Sequence, residues 1–439
     1  MRFGGRLAAA IEIVEQIETR HRPVAEALKD WGVSHRFAGS GDRAAIGNLV
    51  YDALRWRLSS AWIMGEETPR ALILGTVARH WSDGADALAM RIEGDPHAPS
   101  PLSSAEAGRL ANGDLASAPD HVRADVPEWL AAKFQDAFGS EWVGEGAALA
   151  RRPPLDVRVN RLKADRRKVM KSLSRLGAIE TSLSCDGLRI APTTGEGRHP
   201  NVQVEPAFRK GWFEIQDEGS QIAATMVAAT SGEQILDLCA GAGGKTLALS
   251  AAMANRGQIL ASDSDRTRLA PIFERLKRAG TRNVQIRDAG APLDDLNERM
   301  DAVLVDAPCT GSGVWRRRPD AKWRLTSRAL GERLAEQSAL LAAGARHVKP
   351  GGRLVYVTCS LLPEENADQV AKFLAAHPQF VAVSGENSVA ESGLADENRK
   401  RLVDVAVFSE IGVVLTPRRA ATDGFFIAVL RREAGQATR

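Results

Sequence analysis

The sequence predicts an α/β protein whose largest domain is a doubly wound parallel sheet, preceded by a small α+β unit and an N-terminal all-α domain. From residue 234 onward, short apolar strands alternate with segments of helical periodicity, and a glycine-rich turn follows the first strand. The beginning of the chain shows helical periodicity alone. With 439 residues, 44% of them hydrophobic, the chain is long enough for two or three domains.

Residues 1–125 are predicted to form the helical domain. Apolar residues recur on one helical face between 7 and 17 and again between 46 and 54. From about residue 95 to 127 the composition shifts to Pro, Ser, Ala, Gly and Asp, which predicts a linker at the end of this domain.

Residues 126–206 are predicted to form the small α+β unit. Residues 126–138 have helical spacing, and residues 155–160 alternate as a half-buried strand does. A basic segment follows, in which six cations fall between 161 and 171 against one acid, Asp165. Arg166, Arg167 and Lys168 are our candidates there for RNA phosphate contact, and an ordinary solvated basic helix explains the segment equally well.

Residues 207–434 are predicted to form the main domain, with parallel strands at 234–238, 258–262, 283–286, 302–306 and 353–358. A helix at 366–377 leads to two late strands, 413–416 and 425–430, which predict an antiparallel hairpin at one side of the sheet. Such a hairpin is typical of methyltransferases and not of dinucleotide dehydrogenases.

The turn after the first strand is a candidate cofactor loop. A Walker loop would need glycine at Cys239, so this turn is not one, and the third glycine of the dinucleotide fingerprint is replaced by Thr246. Asp263 follows the second strand, where an acidic group can hold ribose hydroxyls, so we predict a nucleoside cofactor. The candidate cofactor-binding residues are Cys239, Ala240, Gly241, Ala242, Gly243, Gly244, Lys245, Asp263, Asp288 and Asp306.

Two cysteines follow apolar strands at the edge where the ligand crevice of a parallel sheet lies. Cys309 comes after the fourth strand and Cys359 after the fifth, and we interpret both as reactive. Cys185 and Cys239 read as small buried hydrophobes. No cysteine spacing suggests a disulfide framework or a zinc site, and no signal peptide or membrane span is evident, so we expect a cytoplasmic, metal-free monomer.

Five motifs carry a family resemblance. They are Phe213–Gln221, Asp237–Thr246, Asp306–Gly313 with Arg318–Asp320, Thr358–Ser360 with Pro363–Asn366, and Asp423–Phe426. Through them the chain resembles the Sun/RsmB (Fmu-like) family of S-adenosylmethionine-dependent RNA cytosine-C5 methyltransferases. The first domain, through residues 42–44 and 54–56, resembles the NusB-like RNA-binding module of the ribosomal RNA members.

The resemblance implies S-adenosylmethionine as cofactor and assigns roles to Cys359, Cys309 and Asp306, and the position of Lys245 beside the loop suggests a fourth role. Cys359 is the nucleophile that adds to C6 of the pyrimidine, and Cys309 assists product release, whereas the DNA enzymes use the Pro-Cys cysteine. Asp306 holds the N3 edge of the base and the amino acid part of the cofactor, and Lys245 orients the base or neutralises Asp306. Asp288 is expected at the adenine amino group.

The target base must leave its stack, so single-stranded RNA is the expected partner, with small-subunit ribosomal RNA preferred. The segment 315–324 offers cations and two tryptophans for backbone contact and stacking, and our candidates there are Arg316, Arg317, Arg318 and Lys322. The alternative is that the tryptophans are core residues. Three other functions stay open: transfer RNA methylation, a noncatalytic ribosome-assembly factor, and an NAD-linked oxidoreductase.

Overall fold

The computed structural model describes residues 1–82 and 84–434. Backbone contacts divide the chain into two compact units. The first comprises 1–153, 192–200 and 314–325, and the second comprises 154–191, 201–313 and the chain from 326 onward. Both units are therefore built from more than one segment of the sequence.

The first unit is helical, as predicted. Its helices before residue 153 are α1 Phe3–Arg20, α2 Val24–Ser34, α3 Ser40–Arg55, α4 Arg57–Met64, α5 Pro69–His80, α6 Gly84–Ile92, α7 Ser104–Asn112, α8 Asp120–Arg123, α9 Glu128–Phe138 and α10 Trp142–Leu149. Leu7, Ala10, Ile13 and Val14 of α1 are fully buried, and their spacing of three and four residues explains why α1 forms and which face it buries. The resemblance of this domain to NusB stays a prediction.

Two helices lie in the stretch whose composition predicted a linker. The side chain of Ser103 accepts from the backbone N of Glu106 at 3.2 Å, and Glu106 Oε2 accepts from the backbone N of Ser103 at 2.7 Å. This reciprocal cap begins α7, and Arg70 pairs with Glu106 at 2.8 Å. The hydrogen bond from Arg70 lowers the pKa of Glu106 to about 2. The sequence-based prediction misses this helix because its cap and the Arg70 ion pair stabilise it, and its sequence has little apolar periodicity.

The remaining helices all belong to the second unit except α17. They are α11 Arg166–Ser172, α12 Pro206–Arg209, α13 Glu218–Thr225, α14 Gly244–Ala252, α15 Arg266–Leu269, α16 Ile272–Ala279, α17 Pro319–Arg324, α18 Ser327–His347, α19 Ala367–Ala376, α20 Gly385–Ala390, α21 Asp396–Val405 and α22 Pro417–Ala420.

The strands form two sheets, both in the second unit. They are β1 Leu155–Val159, β2 Ile179–Glu180, β3 Gly187–Ile190, β4 Phe213–Ile215, β5 Gln234–Asp237, β6 Gln258–Ala261, β7 Val284–Ile286, β8 Met300–Asp306, β9 Val348–Thr358, β10 Phe380–Val383, β11 Val407–Phe408, β12 Val413–Leu415 and β13 Phe425–Arg432. The smaller sheet has the order β2-β3-β1-β4 and is antiparallel; β1, β2 and β3 lie within the predicted α+β unit, and β4 follows it.

The larger sheet is the predicted doubly wound one. Its order is β11-β12-β13-β9-β8-β5-β6-β7, with β10 paired to β13. Strands β5 to β9 pair in parallel. Strands β12 and β13 pair antiparallel, which confirms the late antiparallel hairpin, and β13 joins β9 antiparallel. Successive residues of the central strands face opposite sides: Ile235 belongs to one core cluster and Leu236 to the other. Both faces of the sheet are therefore buried.

Candidate active site

The strand order places the candidate site at the point where the sheet reverses. From β5 the chain proceeds to β6 and β7 on one side and then to β8 and β9 on the other. Because ligands of open α/β sheets bind outside the carboxyl ends of the strands at such a point, the loops after β5 and β8 are the expected crevice. The glycine loop follows β5, and Asp306 ends β8.

The glycine loop is a tight turn that requires glycine at its end. The φ angles are +49° at Gly241 and +79° at Gly243, both in the left-handed region. A Cβ atom on Gly243 would lie 2.5 Å from Cγ1 of Ile272 in α16. The loop is held by a hydrogen bond from the backbone N of Ala240 to the carbonyl of Ser262, at 2.9 Å. The turn therefore begins α14 in one fixed conformation.

We expect Gly243→Ala to lower the free energy of unfolding by about 2–4 kcal/mol, because backbone strain and the collision with Ile272 add together. Gly177 is a matched control, since its φ is +68° and its Cβ would meet nothing within 4 Å. Gly177→Ala should lose about 1 kcal/mol from backbone strain alone. Urea unfolding of the two variants measures the difference, and equal losses would mean that Ile272 moves aside.

Lys245 and Asp306 form an ion pair that joins the two sides of the reversal point. Nζ of Lys245 lies 2.6 Å from Oδ2 of Asp306, and the lysine side chain is buried. The same ammonium lies 5.6 Å from the ring centroid of Phe425. A cation in the first turn of a helix is unfavourable, and Asp306 supplies the opposite charge that offsets it. The structure thus brings these two predicted residues together.

Asp237 is a buried acid beneath this pair. Oγ1 of Thr246 donates to its Oδ2 at 2.7 Å, and its Oδ1 is buried with no hydrogen-bond partner among the described residues. Burial raises the pKa of Asp237 to about 7, and the negative charge of Asp306 acts in the same direction. The motif Asp237–Thr246 contains this residue, but nothing in the sequence indicates that the pKa of its carboxyl is raised.

This pKa predicts how stability depends on pH. Between about pH 4 and pH 7 the folded state holds a proton on Asp237 that the unfolded state has released, so the free energy of unfolding falls as pH rises through this window. Across this window, Asp237 lowers the free energy of unfolding by at most about 4 kcal/mol. Asp237→Asn should remove this slope, which urea unfolding at a series of pH values measures. An unchanged slope in the variant would contradict the assignment.

Asp263 and Asp288 follow the next two strands. The side chain of Asp263 is buried, and its oxygens accept from the backbone N of Gly241 and of Asp265, both at 2.9 Å. Asp263 therefore fixes the glycine loop as well as lying beside it. Asp288 is exposed after β7, and its carbonyl closes a turn with Ala291.

The two predicted cysteines face each other. The Sγ atoms of Cys309 and Cys359 lie 3.4 Å apart, and both side chains are partly buried. The hydrogen bond with Cys359 raises the pKa of the Cys309 thiol well above its usual range, and burial and the charge of Glu365 add to this effect. Cys309 is therefore a thiol at neutral pH and can donate a hydrogen bond to the sulfur of Cys359.

Glu365 connects the loops that carry the cysteines. The residue is fully buried and accepts four hydrogen bonds. The donors are the backbone N of Thr310 at 2.8 Å, Nε2 of Gln337 at 2.9 Å, and the hydroxyl groups of Thr310 and Ser360. Because Thr310 follows Cys309 and Ser360 follows Cys359, one carboxylate fixes both loops. The sequence showed the Pro363–Asn366 motif but not which of its residues does this.

Asn366 and Gln337 complete the same support. Oγ1 of Thr358 donates to Oδ1 of Asn366, whose Nδ2 donates to the carbonyl of Ser360 at 2.9 Å. Nε2 of Gln337 also donates to the carbonyl of Pro308 at 2.9 Å. Buried amide side chains therefore hold the backbone before Cys309 and after Cys359.

A close contact between two glycines ties the Asp423–Phe426 motif to the same loops. The backbone N of Gly424 donates to the carbonyl of Gly313 at 2.8 Å, and the backbone N of Gly313 donates to that of Cys359 at 3.0 Å. A Cβ on Gly313 would lie 2.3 Å from the carbonyl oxygen of Gly424. Only glycine allows this approach, which explains why three separate motifs meet here.

Comparison with known proteins identifies the family. Residues 224–431 match the family described as "16S rRNA methyltransferase RsmB/F", and residues 126–194 match its ferredoxin-like domain. Residues 126–194 and 224–431 belong to the RsmB/F methyltransferase family.

Curated relatives agree with the family. The chain is 38% identical over 252 residues to "Ribosomal RNA small subunit methyltransferase B" of Enterobacter sp. (strain 638), covering 56% of this chain and 57% of that protein. It is 36% identical over 308 residues to the protein of the same name from Pectobacterium carotovorum, covering 69% and 66%. The chain thus spans about three fifths of the length of the curated relatives it matches.

Two solved structures are similar. The crystal structure of PH0851 has a TM-score of 0.71 at 26% identity, over 98% of this chain and 99% of that chain. A methyltransferase homolog protein from Pyrococcus horikoshii has a TM-score of 0.57 at 27% identity, over 71% and 97%. These neighbours confirm the Rossmann-like methyltransferase fold.

Segment 315–324, which the sequence predicts to contact RNA, lies in the first unit. The structure corrects this prediction for several of its residues. Trp315 is 1% exposed and stacks on Phe134, with ring centroids 5.7 Å apart. Lys322 is also 1% exposed, donates to the carbonyls of Asp125 and Arg55, and has its pKa lowered by burial to about 8.

Arg316 is buried as well, and its carbonyl accepts two bonds from Arg55, at 3.0 and 2.8 Å. Trp315, Arg316 and Lys322 are therefore core residues, and the prediction that they contact RNA is wrong. Lys322 belongs to α17, whereas Trp315 and Arg316 lie in the turn before that helix. Of the candidates in this segment, Arg318 is exposed and Arg317 partly so.

The three residues of α11 that are predicted to contact RNA also differ in exposure: one is bonded to the protein and two are exposed. Arg166 donates to the carbonyls of Thr181 and Gly187, both at 2.7 Å through Nη2, so its guanidinium holds a neighbouring loop. Arg167 and Lys168 are exposed, and Nζ of Lys168 lies 4.1 Å from the ring centroid of Trp212. These two stay candidates for RNA contact.

Metal-binding clusters and membrane-spanning helices are both absent from residues 1–82 and 84–434. Across the described residues, no group of three or more His, Cys, Asp or Glu side chains is arranged to hold a metal ion. Likewise, none of the described helices is long and apolar enough to cross a membrane.

Proposed function

We propose that the protein methylates C5 of cytosine in RNA with S-adenosylmethionine as methyl donor, and that 16S ribosomal RNA is its substrate. The observation that carries the proposal is the pair of facing cysteines, fixed by Glu365 and placed at the sheet edge that also carries the Lys245–Asp306 pair. Membership of the RsmB/F family and the names of the relatives support ribosomal RNA as substrate.

The residues around the glycine loop fit the cofactor. Gly241, Gly243 and Gly244 put no side chain between the start of α14 and a ligand. The buried Asp263 accepts one backbone N–H on each oxygen and keeps further lone pairs for ribose hydroxyls. Asp288 is the group for the adenine amino group, and Asp306 for the amino acid part. When bound, S-adenosylmethionine supplies an electrophilic methyl group.

The cysteines account for the activation of the base. C5 of cytosine is a weak nucleophile, so the thiolate of Cys359 adds to C6 and moves electron density to C5. The thiol of Cys309, 3.4 Å away, donates a hydrogen bond that stabilises this thiolate. Once C5 carries the methyl group and has lost its proton, the bond between C6 and the sulfur breaks. Cys309 then stabilises the departing thiolate.

Asp306 acts on the edge of the base that carries N3 and the exocyclic amine, away from the C6 atom that Cys359 attacks. The carboxylate of Asp306, which pairs with Lys245 at 2.6 Å, accepts a hydrogen bond from a protonated N3 or from the exocyclic amine. This favours the positively charged form of the ring, to which a thiolate adds more readily. The target cytosine must first leave its stack to reach these groups.

Methylated nucleosides test the proposal. The purified protein is incubated with S-adenosylmethionine and, separately, with 16S ribosomal RNA, small ribosomal subunits and transfer RNA, and 5-methylcytidine is measured by mass spectrometry. We expect product in 16S ribosomal RNA, free or in the subunit. Product in transfer RNA alone would change the substrate, and no product in any pool would refute the proposed activity.

A further inference from the structure

A cavity of about 70 Å³ lies within the second unit and has no role in the site described above. Strand β1, helices α13 and α14, and the loop at 184–186 line it, with no residue of the candidate active site among them. A water molecule occupies about 30 Å³ in the liquid, so the cavity has room for a small tetrahedral anion.

Arg158 of β1 is a buried cation that lines this cavity. The residue is 5% exposed, and its Nε donates to Oε1 of Gln216 at 2.6 Å. Within residues 1–82 and 84–434, no carboxylate lies at ion-pair distance from its guanidinium, and neither Nη1 nor Nη2 has a hydrogen-bond partner. Burial lowers the pKa of Arg158 to about 10, so it is still charged at neutral pH. A buried charge without a partner is costly, and an anion in the cavity would stabilise it.

The acids near Arg158 are already neutralised by other residues. Asp186 pairs with Arg161, and Glu214 pairs with Arg275 at 3.1 Å and Arg278 at 2.6 Å. These two carboxylates therefore leave the positive charge of Arg158 uncompensated.

The thiol of Cys185 adds no charge to the cavity. Its Sγ accepts from Nη2 of Arg161 at 2.6 Å. Burial raises the pKa of this thiol, so it stays neutral at neutral pH. The cavity thus matches a ligand with a single negative charge, which is the charge of a phosphodiester.

The surroundings favour a nucleic acid as the source of that phosphate. Arg161 is half exposed and lines the cavity, and it begins the basic segment 161–171. The walls on α14 are the small side chains of Ala248, Ala251 and Ala252, which leave space for the group. A backbone phosphate entering the cavity would place the neighbouring nucleotides along exposed cations.

We propose that this cavity binds one phosphodiester of the RNA through Arg158, with Arg161 beside it. The identity of the ligand as RNA rests on the proposed function, while the anion site itself rests on the buried guanidinium. The contact carries no sequence information, so it fixes the position of the RNA strand and not the choice of base.

Binding of a single-stranded RNA oligonucleotide to the full chain tests this, measured by fluorescence anisotropy over a range of salt concentrations. Arg158→Gln should weaken binding about tenfold, because it removes a charged hydrogen-bond donor. The slope of log affinity against log salt should fall in magnitude by about one. Ala251→Leu, which fills the cavity and keeps Arg158, should weaken binding similarly. Arg175→Gln removes an exposed arginine of the same subdomain and should change affinity by less than about twofold.

Thermal melting of each variant shows whether it folds. If Arg158→Gln does not fold, the RNA affinity of Ala251→Leu tests the proposal. Folded variants that bind RNA as tightly as the wild type, with the same salt slope, would overturn the proposal. Inorganic phosphate, titrated against the wild type and the variants by ³¹P NMR, separates the two sources. Phosphate binding that depends on Arg158, with RNA affinity unaffected, would refute the RNA assignment. If the wild type binds neither RNA nor phosphate, the anion site is refuted as well.

Discussion

Replacing Cys359 with alanine should reduce methyl transfer by about 10⁴-fold or more, because the reaction loses the nucleophile that activates C5. The variant should also form no denaturant-resistant complex with RNA. The side chain is partly buried and small, so the free energy of unfolding should change by less than about 1.5 kcal/mol. Initial rates with labelled S-adenosylmethionine and denaturing gels of protein mixed with RNA measure these effects.

Cys309→Ala is the matched control for this result, since it removes the same group 3.4 Å away. It should still attack C6 but release the product slowly, so the covalent complex with RNA should accumulate. If Cys309→Ala were the variant that loses the complex, the two roles would be reversed.

Replacing Glu365 with alanine should have the second largest effect. It removes the acceptor of four hydrogen bonds, three from the two cysteine loops and one from Gln337 of α18, so we expect a loss of about 3 kcal/mol in the free energy of unfolding. The rate of covalent complex formation should fall about 10²-fold, because small displacements of reacting groups are costly. Urea unfolding and single-turnover kinetics measure the two effects.

Two further variants separate positioning from stability in this experiment. Glu365→Gln keeps an acceptor oxygen and the shape of the side chain, so it should recover much of the rate and stability. Asp368→Asn removes an exposed acid nearby on α19 and should change neither. Full activity in folded Glu365→Ala would show that the carboxylate does not position the cysteines.

Much of the main domain is predictable from sequence because its signals are local. The five parallel strands are short apolar runs, and β5 and β6 begin at the predicted residues. The end of each strand then places a chemical group at one edge of the sheet. Lys245 and Asp306 could be expected to meet for this reason, although 61 residues separate them.

The features that sequence did not predict depend on tertiary contacts. Trp315 and Lys322 have the composition of an RNA-binding surface, and only the packing of their segment against other helices shows that they are buried. Glu365 is one of two adjacent glutamates, and nothing local distinguishes the buried one. The short edge strand β11 has only two residues, too few for a periodic signal.

The most direct test of the proposed chemistry is to identify the cysteine that bonds to RNA. RNA containing 5-fluorocytidine is incubated with the wild-type protein and S-adenosylmethionine. The fluorine cannot leave as the C5 proton does, so the covalent complex is trapped. After digestion, tandem mass spectrometry locates the modified peptide. Our account predicts a methylated fluoropyrimidine on Cys359. Attachment to Cys309, or transfer without any trapped complex, would contradict it.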